Sequence, residues 1–245
     1  RAVVEALDGL GFDVSASIDV SPQFREYERT VTTVVNAYLR PTCRNYLRSL
    51  SDAADAVSVM TSAGGLVPIS RGADLPVSLL LSGPAGGVAA AAAVASASGF
   101  SAAVTFDMGG TSTDVCLVRD GVPAPAGERV VAGFAIRQPS LDVHTIGAGG
   151  GSIAAVDAGG ALTVGPRSAG AEPGPACYGR GGTEPTVTDA NLVAGRLGED
   201  VALPGIGRLD VEASQTALDD AGVSAGDVIT VVDAAMEQAV RAVSV

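Results

Sequence analysis

One ten-residue segment, FDMGGTSTDV at positions 106–115, constrains the fold of this chain more than any other. The residues just before it, 102–106, are apolar and β-prone, so we expect Asp107 to lie where a buried strand ends. The paired glycines Gly109 and Gly110 permit a turn with positive φ, which a bulky residue resists. Residues 115–118 then read as a returning strand. The segment therefore predicts a strand, a tight turn and a second strand.

The polar residues of the same segment are suited to binding a phosphate beside a metal ion. Asp107 and Asp114 carry hard oxygen ligands of the kind that a hydrated Mg²⁺ accepts. A glycine turn directs backbone N–H groups toward phosphate oxygens, and neighbouring hydroxyls add further donors. The predicted phosphate-binding residues are Gly109, Gly110, Thr111, Ser112 and Thr113. A plain β-hairpin is the alternative, but it needs neither the two acids nor three consecutive hydroxyls.

Composition narrows the classes of function. The 245 residues are 47% hydrophobic, enough for a real core, and their 15 Lys and Arg against 27 Asp and Glu give a net charge of −12. This charge argues against a nucleic-acid partner or an anionic membrane surface. Three cysteines without a Cys-x-x-Cys pair indicate reduced thiols and a cytoplasmic location, and the longest apolar run, 88–97, is far short of the roughly 20 residues of a membrane span.

Periodicity and turn residues give a coarse assignment of elements. A helix is predicted from Pro22 to about Leu39, interrupted at Pro41 and followed by a second segment at 42–50. Further predicted helices are 88–97, 188–197, 212–221 and 233–243, and predicted strands are 57–60, 67–70 and 129–136. Residues 140–185 are dense in Gly and Pro and predict a long functional loop that contains one hairpin, 153–156 with 162–164.

Two glycine clusters invite a nucleotide-binding interpretation that their context does not support. The run GAGGG at 147–151 opens no long helix after a parallel strand, and no acid follows about 20 residues later, so a Rossmann fold is not predicted. The run SGPAGG at 82–87 precedes a helix and could bind an anion there, but it lacks the Lys-Ser/Thr pair of a P-loop. We interpret the second cluster first as part of a packing helix.

Four ordered motifs resemble the hydantoinase A/5-oxoprolinase family across essentially the whole chain. They are LSGPAGGV at 81–88, the segment 106–115, DVHTIGAGGGSIA at 142–154, and GPACYGRGG at 174–182 with PTVTDAN at 185–191. The resemblance implies an α/β fold of the actin-like ATPase (ribonuclease H-like) type, a mixed sheet with flanking helices that is incomplete at both ends. Residues 1–50 would end an N-terminal hydantoinase A domain, and 51–245 would form the hydantoinase/oxoprolinase domain with a Gly-rich insertion at about 140–185.

The resemblance also implies an activity and its cofactors. The expected reaction is ATP-dependent opening of a cyclic amide, such as hydantoin, N-methylhydantoin or 5-oxoproline, through phosphoryl activation of the substrate. Asp107 and Asp114 would position Mg²⁺ and the γ-phosphate of ATP as metal-binding and catalytic groups. His144, the only histidine, could be a base, a metal ligand or a donor that fixes a loop, and a lone histidine is more often structural. Cys177 is expected to be a buried thiol rather than a nucleophile.

Partners and alternatives follow from the same resemblance. A hydantoinase B-type subunit or fused domain is the expected partner, with no nucleic acid and no membrane. A first phosphate loop would precede residue 1 and an adenosine-side segment would follow residue 245, so this chain alone is expected to be an inactive fragment. The alternatives are a non-catalytic nucleotide-binding subunit, an ATP-dependent ketone carboxylase subunit and, less favoured, a sugar or acid kinase.

Overall fold

The structure of the chain, a computed structural model, describes residues 2–198, 200 and 202–244. The chain divides into two compact units. The first comprises Arg1–Thr105 and Cys116–Val143, and the second comprises Phe106–Val115 and His144–Val245. The segment 106–115 therefore belongs to the same unit as the glycine-rich residues beyond 143.

The first unit contains helices, short strands and two 3₁₀ turns. Its helices are α1 (Ala2–Asp8), α2 (Ser17–Val20), α3 (Glu26–Leu50), α4 (Ile69–Asp74) and α5 (Ser82–Ala97), and its 3₁₀ turns are Ser51–Ala53 and Pro76–Leu79. Its strands, of which β3 and β4 belong partly to each unit, are β1 (Ser58–Met60), β2 (Leu66–Pro68), β3 (Ala103–Met108), β4 (Thr113–Arg119), β5 (Val122–Pro123), β6 (Pro125–Ala126), β7 (Arg129–Val131), β8 (Phe134–Ile136) and β9 (Ser140–Leu141).

The long helix α3 continues through Pro41, so the predicted break there is wrong, as is the predicted start at Pro22. A proline removes one helical hydrogen bond and crowds the preceding turn. Buried positions on both sides of it, Thr32, Asn36 and Leu47, hold the helix against its neighbours. The Nδ2 of Asn36 donates to Ser15 Oγ at 3.2 Å and to Asp74 O at 3.3 Å. Tertiary packing therefore overrides the local cost of Pro41.

Three other predictions for this unit are corrected. Residues 129–136 form a hairpin of β7 and β8 rather than one strand, because Ala132 and Gly133 take φ values of +50° and +84° and reverse the chain. The strand predicted at 67–70 ends at Pro68, and α4 begins at the next residue, Ile69. Helix α5 begins at Ser82, earlier than the predicted start at 88, so residues 82–87 belong to the packing helix as we interpreted them. The apolar core around α5 contains Ala85, Val88, Cys116, Leu141 and Val143.

The second unit is a set of short strands packed with three helices. Its strands are β10 (His144–Ile146), β11 (Ser152–Val156), β12 (Leu162–Ser168), β13 (Ala202–Leu203) and β14 (Gly207–Arg208), its helices are α6 (Val187–Val193), α7 (Val211–Asp220) and α8 (Ala225–Ser244), and Ala176–Tyr178 forms a 3₁₀ turn. Antiparallel pairing joins β11 to β12, which confirms the predicted hairpin. Strand β10 was not predicted, and it pairs antiparallel with the first residues of β4.

The three helices of this unit confirm the predicted helical region, although α8 begins earlier, at Ala225. Helix α6 packs against both α7 and α8. Residues Val228, Val232 and Met236 recur at helical spacing along α8 and are buried, as one face of an amphipathic helix requires. The cores they join include Ala154, Ala190 and Leu218 in one cluster and Ala148 and Val187 in another. Among the residues that the structure describes, none of the helices has the length and apolar character to cross a membrane.

Candidate phosphate-binding site

The segment 106–115 forms the predicted strand, turn and returning strand. Strand β3 ends at Met108, residues 109–112 form a turn that we call the GGTS turn, and β4 begins at Thr113. The N–H of Gly109 donates to the carbonyl oxygen of Ser112 at 2.9 Å and closes the turn. Asp107 and the first three residues of the turn are exposed. Strand β3 differs from the expected buried strand, because Phe106 and Met108 are 47% and 37% exposed.

The reason for the glycines in the GGTS turn differs from the predicted one. Neither Gly109 nor Gly110 takes a φ in the left-handed region, so the expectation of a positive-φ turn is wrong. The closing bond runs from the N–H of Gly109 to the carbonyl oxygen of Ser112, opposite in direction to the bond that defines a β-turn, so the β-turn types that need a positive φ do not apply here. A Cβ on Gly110 would meet nothing within 4 Å. The space beside Gly110 is therefore open to a ligand.

A second segment, residues 147–151 (the glycine loop), lies in direct backbone contact with the GGTS turn. The N–H of Gly150 donates to Gly109 O at 2.9 Å, and the N–H of Gly151 donates to Gly110 O at 2.6 Å. A Cβ on Gly149 would lie 2.6 Å from Gly109 O and 2.8 Å from the nitrogen of Ser112, closer than real Cβ contacts. Glycine is therefore required in the glycine loop, at Gly149, by this close approach of two backbones.

The first two residues of β4, Thr113 with its hydroxyl and Asp114 with its carboxylate, have different surroundings. Thr113 is fully buried, and its hydroxyl donates to Ala148 O at 2.7 Å. Asp114 is half-buried, and its Oδ1 accepts a hydrogen bond from Thr145 Oγ1 at 2.6 Å. Thr145 stands directly across from Asp114 in the β4–β10 pairing. The Thr113 hydroxyl is thus engaged with the glycine loop, whereas Thr111 is exposed and Ser112 half-buried.

His144 lies on β10 opposite Val115 and is exposed. The structure therefore brings His144 to the strand next to Asp114, in the same unit as the GGTS turn. Sequence reasoning singled out His144 as the only histidine but gave no position for it, because β10 was not predicted. The pairing partner of Thr145 could not be read from spacing, since about 30 residues separate the two strands.

The carboxylates beside the GGTS turn suit a Mg²⁺ ion that takes only part of its coordination shell from the protein. Among the described residues, no group of three or more His, Cys, Asp and Glu side chains lies close enough together to hold a metal ion. A site in which the protein supplies the whole coordination shell is therefore not formed there. Mg²⁺ is commonly bound through one or two carboxylates, with waters and substrate phosphates completing the octahedron. The carboxylates of Asp107 and Asp114, on the two strands that flank the GGTS turn, match that smaller requirement.

Sequence reasoning missed one buried residue that organises the surroundings of the site. Asp189 is fully buried, and its carboxylate accepts from five donors. These are the Thr186 N–H and hydroxyl at 2.9 and 2.7 Å, the Ala176 and Cys177 N–H groups at 3.2 and 2.9 Å, and the Ser214 hydroxyl at 2.8 Å. The signal was present, because Thr186 and Asp189 have the spacing of a helix capping box, which the structure contains at the start of α6.

The Asp189 carboxylate also affects the thiol beside it. Burial raises the pKa of Cys177 to about 12, and the neighbouring negative charge of Asp189 adds to the rise. Cys177 is fully buried, so it stays a neutral thiol near neutral pH. This agrees with the expectation that Cys177 is a buried thiol and not a nucleophile.

Comparison with solved structures defines the class of protein. The chain superposes on a nucleotide-free structure of acetone carboxylase with a TM-score of 0.78 and 29% identity, over 98% of this chain and 36% of that chain. It superposes on the crystal structure of an ATP-dependent caprolactamase from Pseudomonas jessenii with a TM-score of 0.79 and 37% identity, over 98% of this chain and 37% of that chain. The fold is the α/β fold of the actin-like ATPase type, and the predicted fold class is confirmed.

The family follows from sequence. The profile of the Hydantoinase/oxoprolinase family matches residues 29–245, and the chain belongs to this family. It is 41% identical over 247 residues to the caprolactamase subunit alpha of Pseudomonas jessenii, covering 95% of this chain and 36% of that protein. It is 44% identical over 204 residues to the 5-oxoprolinase of Saccharomyces cerevisiae, covering 77% of this chain and 15% of that protein. The chain thus spans 36% and 15% of the lengths of these two relatives. The predicted domain boundary at residue 50 stays a prediction.

Proposed function

We propose that this chain carries one phosphate-binding wall of an ATP-dependent enzyme that opens the ring of a cyclic amide such as hydantoin, N-methylhydantoin or 5-oxoproline. The observation that supports this most is the exposed GGTS turn, with Asp107 and Asp114 on its two flanking strands and open space beside Gly110. The names of two relatives, a caprolactamase subunit and a 5-oxoprolinase, support a cyclic amide as substrate. The ATP dependence of the caprolactamase supports ATP as the cofactor.

Each residue of the proposed site has a separate role. Asp107 and Asp114 would hold Mg²⁺ and thereby orient the terminal phosphate. The backbone N–H of Gly110 and the hydroxyls of Thr111 and Ser112 would donate to phosphate oxygens, whereas the N–H of Gly109 is already used to close the turn. Bound MgATP would supply the phosphoryl group that activates the amide oxygen of the substrate. These residues provide positioning and charge stabilisation, which account for most of the catalysis in phosphoryl transfer.

Two residues take indirect roles in this proposal. Because the Thr113 hydroxyl is buried and donates to Ala148 O, we assign Thr113 to holding the glycine loop rather than to touching phosphate. Because Thr145 donates to Asp114 at 2.6 Å, it orients the carboxylate that would face the metal. For His144, which is exposed and pairs with Val115 rather than with Asp114, we favour a structural role, with proton transfer and metal binding as its other readings.

A second candidate is an ATP-dependent ketone carboxylase subunit. The superposition on acetone carboxylase, with a TM-score of 0.78, favours it as the alternative. We also propose that the active protein contains a partner of the hydantoinase B type, because one relative is named as the alpha subunit of an enzyme. A subunit that binds nucleotide without catalysis is a third possibility, which ATP turnover in the presence and absence of the partner separates. A cytoplasmic location stays a prediction.

The test is MgATP binding and turnover in the full-length protein, with Asp107→Asn as the variant. The change removes a metal-directed charge while keeping the shape of the side chain, so ATP-dependent ring opening should fall at least about 100-fold. Asp120→Asn is the matched control, because Asp120 is an exposed carboxylate with a φ of +52°, a conformation that asparagine tolerates well.

The substrate is identified by measuring ADP release with each cyclic amide and, separately, with acetone and bicarbonate. Release that depends on a cyclic amide supports the hydrolase, and release that needs both acetone and bicarbonate supports the carboxylase. Wild-type turnover and Mg²⁺ dependence in Asp107→Asn would show that the site assignment is wrong.

A further inference from the structure

One of the two backbone hydrogen bonds from the glycine loop to the GGTS turn comes from a peptide unit that is hydrogen-bonded at both ends. The carbonyl of Gly150 and the N–H of Gly151 belong to the same planar peptide. On one side, the N–H of Gly151 donates to Gly110 O at 2.6 Å. On the other side, the oxygen of Gly150 accepts two hydrogen bonds. The orientation of this single rigid plane is therefore determined from both directions.

Both donors to Gly150 O come from one residue, Thr188. Its backbone N–H and its Oγ1 each lie 2.8 Å from that oxygen. A Cβ on Gly150 would lie 2.9 Å from Thr188 Oγ1, so the side chain sits close against the loop. Hydrogen bonds in series polarise one another, and the bond to Gly110 O is strengthened when Gly150 O accepts two donors.

Thr188 is itself rigidly held. It lies in the first turn of α6, between Thr186, the residue that caps the helix, and Asp189, which completes the capping box. Thr186 and Asp189 are both fully buried. The N–H of Thr188 is one of the donors that a helix start leaves without an intrahelical partner, and Gly150 O takes that place.

We propose that Thr188 is a positioning residue for the GGTS turn: it holds the Gly150–Gly151 peptide, which in turn holds the carbonyl of Gly110. The inference rests on the proposed function, since it assigns Thr188 to the same phosphate site. Thr188 does not touch the ligand in this scheme. It fixes the direction in which the N–H groups and hydroxyls of the turn face, and so it sets how well they are arranged before MgATP binds.

The test compares three variants of the full-length protein. Thr188→Val removes the hydroxyl and keeps the shape, Thr188→Ser keeps the hydroxyl, and Thr216→Val is the control. Thr216 is exposed on α7, and its hydroxyl donates to Glu212 O at 2.8 Å, so the control also deletes a hydroxyl that is bonded to backbone. Thr188→Ala repeats the deletion with a smaller side chain in case the valine methyl group perturbs packing.

Two readouts are measured. Calorimetric titration with MgATP should show a dissociation constant raised roughly 3- to 10-fold in Thr188→Val, the change expected for a net hydrogen bond of about 1 kcal/mol. Without nucleotide, amide hydrogen exchange at Gly150 and Gly151 should become faster in the same variant. Thr188→Ser and Thr216→Val should stay within about twofold of the wild-type affinity.

The outcomes separate the inference from the proposed function. No MgATP binding by the wild-type protein would reject the proposed function, and with it a role for Thr188 at a nucleotide site. Wild-type binding with equal affinities in Thr188→Val and Thr216→Val would reject only the inference. A loss in Thr188→Ser as large as that in Thr188→Val would also reject it, because the hydroxyl would then not be the positioning group.

Discussion

At the scale of single residues, Gly110 and Gly149 make different contributions. A Cβ on Gly110 meets open space, whereas one on Gly149 meets Gly109 O at 2.6 Å. Gly110→Ala should therefore leave the free energy of unfolding within about 0.5 kcal/mol of the wild type. Gly149→Ala should lower it by about 1–3 kcal/mol, the usual cost of forcing extra atoms into packed structure. Urea unfolding of both variants measures the two changes.

The variant Gly110→Ala also tests whether phosphate binds at the GGTS turn. If a phosphate approaches Gly110 closely, Gly110→Ala loses MgATP affinity although its stability is unchanged. Gly127→Ala is the control, because Gly127 also has no atom within 4 Å of a built Cβ and takes no left-handed φ. Normal nucleotide affinity in Gly110→Ala would place the phosphate away from Gly110 and remove this residue from the site.

The three thiols should differ in reactivity. Cys116 and Cys177 are buried and Cys43 is partly exposed. Burial raises the pKa of both buried thiols, that of Cys177 to about 12, so neither ionises near pH 8. An aromatic disulfide reagent at pH 8 should label Cys43 alone in the folded protein and all three thiols after denaturation. Cys43→Ser should abolish the labelling of the folded protein, and fast labelling of Cys177 would contradict its buried position.

The raised pKa of Cys177 also predicts a pH dependence of stability. The folded state binds the thiol proton more tightly than the unfolded chain, in which a thiol has a pKa of about 8.5. The stabilisation is fully present below about pH 8.5. It is lost as the pH rises from there toward 12. Cys177→Ser, followed by urea unfolding between pH 8 and 10, should show a smaller decline of the free energy of unfolding than the wild type.

The sequence predicted which residues surround the turn better than it predicted what each of them contacts. The acids and hydroxyls of 106–115 stand around one turn as their order indicates, because they are adjacent in the chain. The burial of Thr113 was not predictable, because its hydroxyl bonds to the oxygen of Ala148, which lies in the glycine loop, far away in the sequence. The same reason explains why the close approach belongs to Gly149 and not to the glycines of the turn itself.

At the scale of elements, the start of α6 is predicted to be a principal stabilising feature of the second unit. Asp189→Ala deletes an acceptor of five donors and leaves buried N–H groups without a partner. We expect a loss of at least about 3 kcal/mol in the free energy of unfolding. Asp210→Ala is the control, because Asp210 caps α7 through one hydrogen bond to the N–H of Ala213 at 2.9 Å and is exposed.

The control should lose about 1 kcal/mol, the ordinary value of a helix N-cap. Urea unfolding followed by circular dichroism gives both numbers in one series. Equal losses in Asp189→Ala and Asp210→Ala would mean that the buried network adds nothing beyond capping. Asp189→Asn should fall between the two, since an amide keeps one acceptor oxygen and places a donor among donors.

Elements were predictable where their own pattern was strong. The helices α7 and α8 have apolar positions at helical spacing, and the β11–β12 hairpin has a turn in which Asp157 Oδ1 accepts from Gly159 and Ala161 N–H. Strand β10 has only three residues within a glycine-rich region, and it exists because of its pairing with β4. Pro41 is the opposite case, in which a strong local signal for a helix end is overridden by packing along α3.

At the scale of the whole molecule, the fold class and the family were predictable because four different family motifs occur in the expected order along the chain. The chain spans 36% of the length of the caprolactamase subunit alpha, so the activity of the whole protein is a proposal. The GGTS turn, exposed at Gly110 and Thr111 and preceded by the exposed Asp107, supplies one wall of the proposed site.

The last prediction concerns the affinity of the 245-residue chain for MgATP. The GGTS turn and its flanking strands offer a few hydrogen bonds and two carboxylates, and from these contacts alone we expect a dissociation constant of about 1 mM or weaker, equivalent to about −4 kcal/mol. Calorimetric titration of the purified chain measures it, with Asp107→Asn as the control for binding at the proposed metal ligands. Micromolar binding at unit stoichiometry by the 245-residue chain would mean that a complete nucleotide site lies within residues 1–245.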